Sequence, residues 1–408
     1  MNLKRQALFW GALFLFVVGV VLHVQQLFAM SAALVCLRLV SLWLGKRKLR
    51  GLEARRELPP TLTVGERASA VLTVTNRAST RKVFFTVRDL LPEGLGPLDT
   101  SEQPVAILGG GQSVTLQQAI EPLRRGLYAA DKVELSTADP LGLRRFTRYL
   151  AAPAETVVYP PVLRLPYLWP VSSQGPRAIR PRRRLRGGGE DFYGVRDYVP
   201  GDDPRRISWP TTARRGRLVI AEKEQPESLH GLIVLDLERR AHAGVGSQHT
   251  LEYAVVLAAS LADQAQERGS AVGLIAAGAE NFSLPVIAEP EQRMRLLNAL
   301  ARVQPDSDLP LAEVLASHAH LVPRHGAILV LSPAATGGEV AAYLRGLGHP
   351  VSWFILDAGT FPPARRQVGY GALQGDLEAV RCRVHFVRGD RPLSANWGRG
   401  ASLAGRYA

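Results

Sequence analysis

The chain has 408 residues, 46% of them hydrophobic, and a formal net charge of +14. That length predicts two or three domains, and the composition is that of a globular protein with a proper core. Its two cysteines, Cys36 and Cys382, lie too far apart in sequence to suggest a disulfide framework or a cysteine metal site.

The first fifty residues hold two apolar runs, Ala7 to Leu22 and Leu27 to Leu44, the second interrupted by Arg38 and two serines. At the rise of an α-helix each spans roughly 25 Å, slightly short of the ~30 Å hydrocarbon layer. The link His23-Val-Gln-Gln26 is a tight turn, so residues 1–50 read as a transmembrane helical hairpin with helices at about 7–22 and 27–44. Lys4 and Arg5 precede the pair, Lys46, Arg47, Lys48, Arg50, Arg55 and Arg56 follow it, and the turn has neither Lys nor Arg. The positive-inside rule then puts both ends, and the soluble part, in the cytoplasm. Trp10 and Trp43 suit interfacial anchors. Arg38 needs to reach only roughly 9 Å to snorkel out. A cleaved signal peptide ending near Ala29-Met-Ser31 is disfavoured by the second run that follows at once.

Residues 51–160 alternate in short β-branched segments, among them Ala68–Thr75, Lys82–Arg88 and Ser113–Gln117, separated by glycine turns. This pattern predicts an all-β immunoglobulin-like sandwich. The triplet Gly109 to Gly111 lacks the Lys-Ser/Thr and helix of a phosphate loop and reads as a hairpin turn.

Residues 161–228 comprise a basic linker and then a dense charged segment. The linker's Arg180-Pro-Arg-Arg-Arg-Leu-Arg186 offers phosphate contacts, but no aromatic interleaves with it as a single-strand reader would need. Basic residues near an anionic leaflet are worth about 1 kcal/mol each, so contact with anionic lipid headgroups accounts for much of the charge, and nucleic acid is a lesser reading. The segment from Glu190 to Arg215 sets five carboxylates against five arginines, with Phe192, Tyr198, Ile207 and Trp209 interleaved. Such a pattern predicts a partly buried ion-pair network, for which the planar arginine fork is suited.

From residue 229 to 390 strands and helices alternate. Strands are expected at Gly231–Leu235, Ala271–Ala276, Ala327–Leu331, Val351–Leu356 and Val380–Val387. Helices are expected at Leu251–Arg268, Glu291–Val303, near Leu311–His318 and at Gly338–Leu347. Alternation of this kind predicts an α/β doubly wound sheet whose ligands bind at the carboxyl ends of strands. Residues 391–408 form a C-terminal tail.

The charged segment also carries a resemblance. Gly189, Asp191, Phe192, Arg196, Tyr198, Pro200, Gly201, Asp202, Asp203, Arg205, Ile207, Trp209, Ala213 and Arg214 match a motif similar to the signature of the DUF58 family, a domain of unknown function. Arg124-Arg-Gly-Leu-Tyr128, Asp139-Pro-Leu-Gly-Leu143 and Val157-Val-Tyr-Pro160 resemble segments that family members carry at these places. The resemblance implies a von Willebrand factor A-like domain, and a MoxR-type AAA+ ATPase as partner of a bacterial inner-membrane adaptor. Asp191, Phe192, Arg196, Tyr198, Gly201, Asp202, Asp203, Arg205, Trp209 and Arg214 are then structural or partner-binding residues, bracing the join between sandwich and sheet domain.

Domains of that type often hold a divalent cation such as Mg²⁺ through Asp-x-Ser-x-Ser after the first strand. Here the loop reads Asp236-Leu-Glu-Arg-Arg240, which keeps Asp236, replaces the first serine with Glu238 and brings a cation in Arg240. Asp306-Ser-Asp308 aligns poorly as a second ligand loop, and Ser332-Pro333 lacks the later aspartate. The site is expected to be degenerate, with Arg240 pairing with Asp236 in place of a metal. No cofactor is implied. No Gly-x-Ser-x-Gly elbow, Walker A or His-Glu-x-x-His occurs, and the pair His318-Ala-His320 lacks a third ligand. The alternative is an envelope-associated hydrolase or transferase acting through Asp202 and Asp203, although neighbouring arginines suit those carboxylates to ion pairing.

Overall fold

A computed structural model of the chain describes residues 3–99, 102–139, 144–170, 192–199, 207–223, 230–363, 368–397 and 402–403. Two antiparallel helices, α1 (Leu3–Leu22) and α2 (Gln25–Lys48), open it. The turn is His23-Val24 alone, because Gln25 and Gln26 are good helix formers and join α2. His23 takes a left-handed backbone to close it. Across the pair, Ser31 Oγ donates to the Ala12 carbonyl at 2.8 Å and Phe16 meets Phe28 edge-on.

Among the described residues one stretch, Gln25–Gly45, is long and apolar enough to cross a membrane, and α1 offers a shorter apolar stretch, Phe9–Leu22. The expectation of two crossing helices is thus reduced to one by length. Phe14, Val21 and Leu39 leave 60% or more of their surface uncovered. The Arg38 guanidinium lies 6.0 Å from the Phe9 ring centroid, near the end of α1 that snorkelling would reach.

The β-rich part packs two sheets face to face. Strands β1 (Leu52–Glu57), β2 (Thr61–Thr63), β3 (Ala68–Asn76), β4 (Lys82–Asp89), β5 (Gln103–Leu108), β6 (Ser113–Ile120), β7 (Gly126–Ala138) and β8 (Arg145–Tyr159) divide between them. The sheet orders are β1-β3-β6 and β2-β8-β7-β4-β5. Alternate residues Leu72, Val74, Phe85, Val87, Val133, Leu135 and Leu150 fill the space between, as the period of a half-buried strand requires. Arg56 and Asp89 form an ion pair buried within this part; Arg56 Nη1 also reaches the Ala152 carbonyl.

Residues after Tyr159 do not leave as an extended linker. Val162, Leu165, Leu168 and Trp169 lie in the core of the next domain, around the short strand β9 (Leu163–Arg164). The expected linker therefore starts later than residue 161, because four apolar side chains here find a helix to cover. The tract Arg180–Arg186 lies outside the described residues. Next come β10 (Phe192–Asp197), α3 (Trp209–Arg215) and β11 (Val219–Lys223), in which β10 and β11 form an antiparallel ribbon.

The α/β domain runs β12 (Gly231–Leu235), β13 (Gly244–Val245), β14 (Gln248–His249), α4 (Thr250–Gln266), β15 (Val272–Ile275), β16 (Leu284–Ile287), α5 (Gln292–Arg302) and α6 (Leu311–Ser317). It continues with β17 (Ala327–Ser332), α7 (Gly338–Gly346), β18 (Val351–Asp357), α8 (Gly371–Ala379) and β19 (Arg383–Arg388). The strand β20 (Ser402–Leu403) in the tail pairs with β9. The main sheet has the order β16-β15-β12-β17-β18-β19, parallel except for the antiparallel edge strand β16.

Both faces are covered. Ile233, Leu235, Leu329 and Leu331 pack with α4 and α5, while Leu232, Val234, Ile328 and Val330 pack with α6, α7 and α8. Burial on both sides explains why these strands are continuous apolar runs. Helix α8 has no counterpart in the sequence reading. Gly371 and Gly375 weaken its propensity, and packing of Leu373 and Leu377 on the sheet supplies what propensity does not.

The two domains meet at Arg125, in the loop between β6 and β7. Its Nε donates to the Leu300 carbonyl at 2.8 Å and its Nη2 to the Val303 carbonyl at 2.7 Å, at the C-terminus of α5. Its Nη1 pairs with Glu252 in the first turn of α4. One buried guanidinium thus satisfies two helix-end carbonyls and joins two helices to the sandwich. Tyr159 Oη adds a hydrogen bond to Asn298 Oδ1 at 3.0 Å. Among the described residues the contacts of the join fall on Arg125 and Tyr159; the charged segment around Asp202, to which the sequence reading assigned this bracing role, lies outside the described residues. Arg125→Ala leaves the two carbonyls and Glu252 without their cation, so a loss of about 3 kcal/mol is expected. Arg125→Lys recovers only part, since an ammonium cannot fork to both carbonyls. Thermal melting with limited proteolysis checks this, the expected result being a lower transition and earlier cleavage between the domains.

Candidate functional site

Strand order reverses direction between β12 and β17, and this switch point is where open α/β sheets bind ligands. Asp236 follows β12 there and Ser332 ends β17. The Ser332 hydroxyl donates to Asp236 Oδ2 at 2.6 Å, and the Glu238 amide donates to Oδ1 at 3.0 Å. Asp236 is buried, 2% exposed, and burial raises its carboxyl above the usual range against the pull of those two donors.

A histidine closes the arrangement from the side. His242 Nε2 lies 2.9 Å from the Asp236 carbonyl and therefore carries the proton, while Nδ1 faces the Thr250 hydroxyl at 2.8 Å. Burial pushes the His242 imidazole down to about 4. His249 stacks on it with centroids 5.7 Å apart, caps α4 by accepting from the Leu251 amide, and is likewise lowered by burial. Sequence reasoning missed Ser332 and His242 as partners of Asp236, and Thr250 as the partner of His242. The signal was faint, being only polar residues just beyond apolar strands.

The middle loop does come to the first. Glu238 bridges Ser307 in parallel, the Arg239 amide donates to the Ser307 carbonyl at 2.9 Å and the Ser307 amide to the Leu237 carbonyl at 3.0 Å. Its carboxylates turn elsewhere. Asp306 Oδ1 accepts from the Ala279 amide, and Asp308, largely exposed, faces Arg239 at 3.8 Å. Arg240 is exposed, and the Asp236 carboxylate is taken by Ser332 and the Glu238 amide, which corrects the expected Arg240–Asp236 pair. Among the described residues no group of three or more His, Cys, Asp or Glu is placed to hold a metal ion. Each oxygen of Asp236 is bonded to a protein donor, so the carboxylate anchors the start of this loop to the end of β17.

His318 and His320 form a surface pair whose rings stack, with centroids 6.2 Å apart. Two residues apart on an α-helix they would diverge. They face each other because the chain leaves α6 at His318 into a tighter turn at Ala319–Leu321.

The signature segment is a second candidate. Asp191, Gly201, Asp202, Asp203 and Arg205 lie outside the described residues, and for Phe192 and Arg196 only the strand β10 is described. In the rest, Asp197 pairs with Arg217 at 2.8 Å with both side chains more than half exposed. Trp209 is 65% exposed on α3, and Arg214 is exposed at its end. Tyr198 is half-buried, and its amide donates to the Leu218 carbonyl, placing the exposed Val199 and Leu218 on the same ribbon. What is described of this segment is largely exposed, Trp209 most of all among its large apolar side chains.

Residues 194–349 match the family described as protein of unknown function DUF58. An uncharacterised protein of Bacillus subtilis, YeaD, is 24% identical over 268 residues, which take in 65% of this chain and 65% of that protein's length. The matched solved structures include the CARDB domain of a Pyrococcus furiosus protein, 14% identical with a TM-score of 0.20 over 26% of this chain and 94% of that one. Escherichia coli alpha-2-macroglobulin is 15% identical with a TM-score of 0.21, over 28% of this chain and 10% of that one. The two-sheet architecture rests on this chain's own strands.

A pH dependence follows from His242. Its folded value is lowered, so the stability it contributes is complete above the unfolded value of about 6.5 and declines as pH falls towards about 4. Asp236 has the opposite sign, since its raised folded value makes the ionised form cost stability as pH rises. Urea melts between pH 7 and 4 should show wild type losing stability, and His242→Gln losing less of it over the same interval.

Proposed function

We propose that this protein is a membrane-anchored adaptor that docks a MoxR-type AAA+ ATPase with the part of the chain that follows its N-terminal hairpin. The observation that carries this reading is the pairing of an apolar N-terminal hairpin with a soluble body whose switch-point polar groups are already engaged with one another. A catalytic site needs a polar group that a substrate can reach, and Asp236, Ser332 and Thr250 are buried, with His242 held between Thr250 and the Asp236 carbonyl. The strand order of the main sheet, with its antiparallel edge, supports reading it as a von Willebrand factor A-like domain. The two facing sheets support an immunoglobulin-like sandwich for the preceding one.

Docking falls to the ribbon around Trp209. An exposed tryptophan among Val199 and Leu218, with Arg214 and Arg217 beside it, has the composition of an interface anchor with a basic rim. The membrane reading makes the stretch Gln25–Gly45 a span and keeps the basic residues after it with the cytoplasmic leaflet, alongside the motor.

Two measurements test the reading. A MoxR-type ATPase from the same organism should co-purify with the full chain in mild detergent, and Trp209→Ala should lower the yield of complex at least tenfold with an unchanged melting transition, about 1.4 kcal/mol or more of binding. Equal recovery with the variant, or no complex at all, overturns it. Alkaline phosphatase fused to the carboxyl end should be inactive, and strong activity would put the body on the wrong side of the membrane for a cytosolic motor.

A further inference from the structure

The end of the sandwich that carries α2 is built at the level of the membrane span and not beyond it. Ser41, four residues inside the apolar stretch Gln25–Gly45, donates to Asp139 Oδ2 at 2.6 Å. The Phe146 ring lies against Gly45 so closely that a Cβ there would overlap it. Lys48 Nζ reaches the Ala138 carbonyl at 3.3 Å, and Arg148 Nη1 the Leu49 carbonyl at 2.8 Å. Four helical residues amount to about 6 Å, comparable to the depth of one headgroup layer. If Gln25–Gly45 spans the bilayer, the strand ends at Ala138 and Phe146 stand within that layer.

The same end exposes apolar side chains where a soluble sandwich would carry polar ones. Phe84 is 73% exposed and takes a left-handed backbone with φ 49°, a costly conformation for a bulky residue. Its carbonyl accepts from Thr137 Oγ1, which sets it one strand from Ala138. Ile107, opposite Val83 on β5, is 64% exposed. Cations surround them. Arg47, Arg81, Arg144 and Arg148 are exposed. Of the acidic side chains at this end, Asp139 is buried, accepting from Ser41 and the Arg144 amide, and Glu53 and Glu102 pair with Arg77 and Arg145. The surplus is positive, and it adjoins the span directly.

We propose that this end of the sandwich is a second membrane contact, with Phe84 and Ile107 seated among the headgroups of an anionic leaflet and the arginines around them paired with lipid phosphates. The inference rests on the reading of α2 as a span and goes beyond it, because it makes the sandwich lie down on the bilayer. The body then hangs from two points, which restricts how the α/β domain is presented to a partner.

Single-cysteine forms of the full chain, made on Cys36→Ser and Cys382→Ala, test it. NBD is attached at Phe84→Cys, at Val35→Cys within α2, and at Ser69→Cys. Ser69 is seven strand residues from Asn76 and so roughly 23 Å from the α2 end. The forms are placed in nanodiscs of phosphatidylcholine and phosphatidylglycerol containing spin-labelled lipid, labelled near the headgroup for positions 84 and 69 and near the end of the acyl chain for position 35, which lies about 15 Å from either end of the span. The label at 84 should be quenched several-fold more than that at 69, and Arg81→Glu with Arg144→Glu should return it towards the value at 69. Equal, weak quenching at 84 and 69 with strong quenching at 35 overturns the contact and leaves the anchor standing. A label at 84 shielded from water but not quenched by lipid means a protein neighbour, such as a second copy, and also overturns it. An unquenched label at 35 removes the span, and the contact with it.

Discussion

One guanidinium ties the β-sandwich to the α/β domain. Arg125 leaves the sandwich and enters the α/β domain where α5 ends and α4 begins, meeting carbonyls at one helix terminus and a carboxylate at the other. Both ends welcome it, since unpaired carbonyls and a first-turn acid are complementary to a buried cation. Much else is arranged around that point. Tyr159 reaches Asn298 beside it, and the strap from Val162 to Trp169 then runs along α4, with Trp169 Nε1 donating to the Leu261 carbonyl at 3.1 Å. Gly231 is glycine because the Trp169 ring occupies the space of a side chain.

The join and the switch point share an element. Glu252, which meets Arg125, and Thr250, which meets His242, both belong to the first turn of α4. From His242 the path passes to the Asp236 carbonyl, and across its carboxylate to Ser332. The carboxyl ends of the central strands are therefore tied through one helical turn to the contact with the sandwich. That is a contiguous physical path, and the energetic coupling along it is open to double-mutant measurement. It also gives the buried carboxylate a part in the packing: Asp236 holds the Glu238 amide and the Ser332 hydroxyl at the ends of two neighbouring strands.

Much was legible in the sequence. The two apolar runs, the β-branched alternation before residue 160 and the strand–helix alternation after residue 230 each reflect a local period. A local period survives in sequence because burial of one face imposes it. What failed to show were contacts between residues far apart. Nothing near Arg125 in the chain distinguishes it from Arg124, yet Arg125 is buried at the join and Arg124 supplies a carbonyl to Tyr128. Asp236 stood out by its place after a strand, but its partner was expected at Arg240, four residues on, and lies at Ser332, on the neighbouring strand.

Composition and pattern alone determined that this chain begins with apolar helices, continues as β-structure and ends as a covered parallel sheet, since each depends on which residues must avoid water. Tertiary structure decided which charges are buried, where the domains touch and which polar groups are already satisfied. Those outcomes turn on distances between segments that only the completed packing brings together, and a chain cannot display them in the order of its residues.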